Sequence, residues 1–115
     1  MTNFASLKSE KVKIIFEKEY REELYTTGKT KSKKYRFQPE VARKYIERVN
    51  TLRAANRVED LFVIRSLHYE KLAGDKKGLE SVRITLQYRL EFVSSFSEIE
   101  SITICSLLDI SKHYQ

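Results

Sequence analysis

Between Ser81 and Val93 the chain reads SVRITLQYRLEFV, two runs in which apolar and polar residues alternate around Gln87. Successive side chains of a strand point to opposite faces, so each run marks a half-buried strand. A three-residue loop from Thr85 to Gln87 pairs Ile84 with Tyr88, Arg83 with Arg89 and Val82 with Leu90, so that apolar meets apolar across the ladder. A two-residue loop would set Arg83 against Leu90 and put the two arginines on opposite faces. The odd register is therefore predicted, and it places two guanidinium groups side by side. Like charges across a ladder are unfavourable. A bound phosphate relieves them, and so do carboxylates such as Glu91 on a solvated face.

The rest of the chain supplies what this hairpin must pack with. KVKIIF, from Lys11 to Phe16, alternates as a first strand. EKEYREELY, from Glu17 to Tyr25, sets Tyr20 and Leu24 four apart on a narrow apolar stripe, predicting a short helix that Gly28 ends. Pro39 opens a second helix, with Val41, Tyr45, Val49 and Leu52 at helical spacing, running to about Asn56. Leu61 to Ile64 is short and apolar, and Leu67 to Leu72 is a further strand candidate before the turn residues Gly74, Asp75 and Gly78. After Val93 the polar SSFSE reads as a turn. Ser101 to Ile110 then reads as a last strand, with Ile102, Ile104, Leu108 and Ile110 sharing one parity. The predicted fold class is α+β: one N-terminal strand, two helices, then an antiparallel meander forming a single sheet with the helices on one face. A chain of 115 residues suits one domain, with residues 1–10 as an irregular N-terminal extension.

Composition narrows the function classes. Lys and Arg total 22 against 16 acidic residues, a formal charge of +6, which favours a polyanionic partner. A single cysteine, Cys105, can form neither an internal disulfide nor a thiolate metal site, pointing to a reducing compartment, the cytoplasm by default. It lies on a dense apolar strand and reads as an inert buried thiol. No apolar run reaches the roughly 20 residues that span a bilayer, so no membrane partner is expected.

Candidate chemistry rests on few groups. His68 and His113 can move protons near neutral pH, although a strand histidine or one near a terminus also fits a structural or solvated role. No spacing suggests a metal site, a Gly-rich phosphate loop or a Cys nucleophile with its base, so no cofactor is expected. Five of the eight residues from Lys29 to Arg36 are basic, including Lys31, Lys33 and Lys34, and form a cationic loop between the helices. Tyr35 and Tyr114 stand beside cations and fit no core periodicity, unlike Tyr45 and Phe92. They could stack on unpaired bases.

The segment KLAGDKKGLESVRITLQYRLEF, Lys71 to Phe92, followed by CSLLDISKHY, Cys105 to Tyr114, resembles toxins of bacterial type II toxin–antitoxin modules, within the RelE/ParE superfamily. It is most similar to HigB-type toxins in its turn (Leu72, Gly74, Asp75, Gly78), its strand arginine (Arg83) and its Tyr88-to-Phe92 strand. The basic run KTKSKKYRFQPEV, Lys29 to Val41, resembles the inter-helix segment of one HigB-like branch.

The resemblance implies a RelE-like fold and a metal-independent, ribosome-dependent endoribonuclease that cuts mRNA. Its implied partners are ribosomal RNA and a HigA-like helix-turn-helix antitoxin, with operator DNA reached only through the antitoxin complex. Arg83 and Arg89 match the family's strand cations and would clamp phosphate. The family's histidine, four positions before the motif glycine, is replaced by Glu70, with His68 two residues earlier on the same face of the expected strand. The base is therefore Glu70, His68 or a C-terminal residue. The C-terminal Asp-Tyr-His ending corresponds to Asp109, His113 and Tyr114 at altered spacing, which makes His113 the favoured proton-transfer residue. Lys71, Lys76, Lys77 and Lys112 are expected to join Lys31, Lys33 and Lys34 in holding RNA. Two other readings stay open: a ParE-like gyrase inhibitor that is not a nuclease, and a nucleic-acid-binding module active only within an antitoxin complex.

Overall fold

The computed structural model describes residues 12–31 and 37–112. The proposed N-terminal extension, Lys33, Lys34, Tyr35, His113 and Tyr114 lie outside these residues. Strand β1 (Lys13–Phe16) leads into helix α1 (Glu19–Thr27) and helix α2 (Pro39–Ala54). Short 3₁₀ turns at Val58–Leu61 and Arg65–Leu67 precede strands β2 (Glu70–Lys71), β3 (Glu80–Arg83), β4 (Tyr88–Ser97) and β5 (Ile102–Lys112). The sheet order is β1-β5-β4-β3-β2, with the meander antiparallel throughout and β1 added parallel to β5 at the edge.

Each helix follows from its sequence. α1 carries Glu19 and Glu22 in its first turn, where the helix dipole favours negative charge. It ends at Gly28, whose φ of 78° is left-handed and whose N–H bonds the Leu24 carbonyl at 2.8 Å. α2 has Pro39 at its start and ends at Ala54, two residues before the expected Asn56. It buries the expected stripe, Val41, Tyr45, Val49 and Leu52, and Ala42 as well. The Ala55 carbonyl then accepts the Val12 N–H at 3.0 Å, stitching the end of α2 to the start of β1. Between helices and sheet lies the core, where Leu24, Tyr45, Val49 and Leu52 meet Val82, Leu90, Phe92, Cys105 and Leu107, all essentially inaccessible.

The predicted hairpin register holds: Arg83 stands opposite Arg89 and Val82 opposite Leu90, and the Ile84 N–H bonds the Tyr88 carbonyl at 2.9 Å. Three expectations are corrected. The strand foreseen from Leu67 to Leu72 shrinks to Glu70–Lys71, because Leu67 closes a 3₁₀ turn and His68 takes a left-handed φ of 45°. The SSFSE segment is no turn: β4 runs on to Ser97, its alternation masked by serines on a solvated stretch, and the chain reverses at Glu98–Ser101 instead.

Finally, β5 does not keep one parity. Glu91 pairs with Asp109 but Phe92 with Leu107, so Leu108 is an extra, unpaired residue. This β-bulge switches the inward set from Thr103, Cys105 and Leu107 to Ile110. Deleting Leu108 should therefore close the ladder without a bulge, leaving Leu107 opposite Phe92 and Ile110 opposite Leu90, so that Ile110 stays in the core. Ile110→Ala, by contrast, should lose about 2–4 kcal/mol in equilibrium denaturation, the cost of removing a large aliphatic side chain from a core.

Candidate functional site

On the sheet face away from the helices, β2, β3 and β4 carry Glu70, Ser81, Arg83, Arg89 and Glu91 in register, since Glu70 pairs with Ser81, Ser81 with Glu91 and Arg83 with Arg89. Arg89 is only 5% exposed although it lies on the outer face. Its Nε donates to Ser81 Oγ at 2.7 Å, and a terminal nitrogen donates to the His68 carbonyl. Glu70 Oε1 lies 3.8 Å from the same Nε. Burial lowers the guanidinium pKa from its ordinary value. The Glu70 carboxylate opposes that shift, and the neighbouring Arg83 charge adds to it.

The carboxylate that neutralises Arg89 is thus Glu70, whereas the buried Glu91 is taken by Lys76, whose Nζ is 2.6 Å from Glu91 Oε2. Arg83 makes no ion pair with any described residue. Glu70, Lys76, Ser81, Arg89, Glu91, Ser111 and Lys112 line a depression of about 150 Å³. It combines a fixed guanidinium, an accessible carboxylate and flanking ammonium groups, which suits an anion carrying a transferable proton.

Other expected site residues are placed elsewhere. His68 is not on a strand, so the same-face relation to Glu70 fails. Its ring is exposed, and its carbonyl, fixed by the left-handed turn, is what binds Arg89. Lys71 and Lys77 line a different groove, of about 470 Å³, with Phe62, Tyr69, Glu80 and Ser94. Lys71 stands opposite Glu80, one step out of phase with Glu70. Lys31 lies in the loop after α1, where Glu23 Oε1 accepts its N–H at 3.1 Å and the Thr30 hydroxyl at 2.8 Å. These two bonds, the Thr30 one first, lower the Glu23 pKa from the usual carboxylate range.

Sequence reasoning passed over several groups. Arg21 is fully buried on α1, with Nη1 3.9 Å from Asp109 Oδ1 and 3.3 Å from the Tyr20 hydroxyl. The Tyr20 hydroxyl donates to the same Asp109 oxygen at 2.6 Å, so Asp109 ties β5 to α1. Arg21 adjoins Tyr20 on the helix, and a stripe read wider than one row would have included it. Glu80 is buried on the helix side, accepting from the Tyr69 hydroxyl at 2.7 Å and the Ser94 N–H at 2.8 Å. Burial, with Glu80 nearby, pushes the Cys105 thiol up to about 12, in keeping with the inert thiol expected. Among the described residues no three His, Cys, Asp or Glu side chains gather to hold a metal.

Two helices thus pack on one face of a five-stranded mixed sheet, and the other face carries a cationic cluster. A solved structure, the YoeB/ParE toxin from Agrobacterium tumefaciens, is similar with a TM-score of 0.54 and 16% identity over 89% of this chain and 99% of that chain, a likeness of fold. The model of the family of RelE-like HigB toxins of type II toxin–antitoxin systems matches residues 14–105. The chain belongs to this HigB-like toxin family and so is the toxin of a module with an antitoxin partner. No curated protein matches it.

Arg89 is buried and Arg83 is not, so their removal should differ in cost. Arg89→Ala strands the His68 carbonyl and Ser81 hydroxyl and should cost about 1–3 kcal/mol, whereas half-exposed Arg83→Ala should stay within about 1 kcal/mol. Paired urea melts check the difference. Cys105 should resist iodoacetamide in the native protein and react fully once it is unfolded, as mass spectrometry would read.

Proposed function

We propose that this toxin is a ribosome-dependent endoribonuclease that inhibits translation in the cytoplasm by cutting mRNA. The observation that carries the reading is the division of labour on the outer face. Arg89 is spent internally on Ser81, His68 and Glu70, while Arg83 beside it makes no ion pair with a described residue. Arg83 is the phosphate contact and Arg89 holds Glu70. The Glu70 carboxylate takes the proton from a ribose 2′-OH as its oxygen attacks the adjacent phosphorus. The bond from phosphorus to the 5′-oxygen breaks, leaving a 2′,3′-cyclic phosphate, and the departing oxygen is protonated by His113, which follows Lys112 in the chain. Arg83 and Lys112 offset the charge that builds on the phosphorane oxygens. In this scheme Lys76 is held by Glu91 at the rim, and Tyr114 and the basic loop (Lys31, Lys33, Lys34) serve RNA contact on the ribosome.

Pulse labelling after induction without antitoxin should show amino-acid incorporation stopping before DNA supercoiling changes. The reverse order would identify a gyrase-directed toxin instead. In single-turnover cleavage on programmed ribosomes, Arg83→Ala and Glu70→Gln should each slow the reaction by about a hundredfold or more, with the Arg83 variant melting like wild type. Normal cleavage by both variants would remove this cluster from the chemistry.

A further inference from the structure

A second cationic surface lies on the helix side of the β3–β4 turn. An open groove of about 560 Å³ runs between α2 and that turn, lined by Gln38, Lys44, Arg48, Arg83, Thr85 and Gln87, with buried Val41 and Ile84 beneath and Glu40 as its one carboxylate. Arg48 donates from Nε to the Arg83 carbonyl at 2.6 Å, which anchors the guanidinium by one nitrogen at the groove's wall. Lys44, Arg48 and Arg83 are all half-buried, and none makes an ion pair with a described residue. Arg43, on the same helix, is instead exposed and paired with Glu47 at 2.8 Å. Partly desolvated cations that share a groove with a single carboxylate are incompletely neutralised, and a polyanion is what such a site stabilises.

We infer that this groove is a binding track for the phosphate backbone of single-stranded RNA. It would extend the outer-face cluster around the β3–β4 turn, because Arg83 borders both surfaces. The inference rests on the reading of the chain as an RNA-directed toxin. An RNA strand is favoured over an acidic protein segment by the neutral polar groups of Gln38, Thr85 and Gln87 that share the groove with the cations and can bond ribose hydroxyls as well as phosphate oxygens. Leu86, 71% exposed at the turn, offers an apolar contact for a base where the strand would round the corner.

The probe is a short single-stranded RNA with 2′-O-methyl riboses, which binds without being cut, followed by fluorescence anisotropy over a range of salt. Replacing both Lys44→Gln and Arg48→Gln should weaken binding about tenfold or more at low salt and reduce the slope of log affinity against log salt by about 1.4, two contacts at about 0.7 each. Arg43→Gln should leave both unchanged. If the double variant melts early, Lys44→Gln alone should still lower the slope by about 0.7. Slopes equal to wild type would overturn the track, and so would intact RNA binding with weakened antitoxin binding, which would make the groove a protein surface. A wild type that fails to cut mRNA on ribosomes yet shows the groove-dependent slope would sink the nuclease reading and keep the track.

Discussion

Much of the outer face depends on one desolvated guanidinium. Arg89 sits on β4 and reaches the β3 side chain of Ser81, the carbonyl of His68 in the turn before β2, and the carboxylate of Glu70 on β2. A two-residue strand such as β2 has few ladder bonds of its own, so a charged donor that crosses two strands and grips the preceding turn supplies much of what keeps it in place. A buried cation without these acceptors would cost several kcal/mol, so charge, turn and strand are mutually required. The left-handed backbone at His68 belongs to the same arrangement, because it aims the carbonyl at Arg89.

The helix side has a counterpart. Arg21 on α1 is buried against Tyr20 and Asp109, joining the first helix to the strand that carries the C-terminal residues. In each case an arginine spends its charge inside the protein. Arg83 at the end of β3 and Arg48 on α2 make no ion pair with a described residue, and they meet beside the β3–β4 turn, where Arg48 Nε donates to the Arg83 carbonyl. Unpaired charge at a border, rather than the total of +6, is the more specific pointer to a polyanion.

Much of the site was legible because strand alternation is a local signal. The pairing of Arg83 with Arg89 followed from apolar matching alone, and Glu70 falls on the same face through its pairing with Ser81. The positions of His68 and of Lys71 and Lys77 were not legible, since a single left-handed residue shifts phase without any glycine to announce it. Nor was the bulge at Leu108, where an apolar residue in an apolar strand conceals the change of parity.

By itself, then, the amino-acid order determined the α+β class, the core stripe of α2, the end of α1 at Gly28 and the cross-strand arginine pair, all set by residues within a turn or a hairpin of one another. Tertiary structure alone decided which arginine would be buried, which carboxylate would meet it and which lysines would share its face. Those outcomes depend on partners far apart in sequence, such as Arg89 with His68 and Tyr20 with Asp109, which meet only after the sheet has closed against the helices. Charge pairing is non-local, and periodicity in one segment carries no record of it.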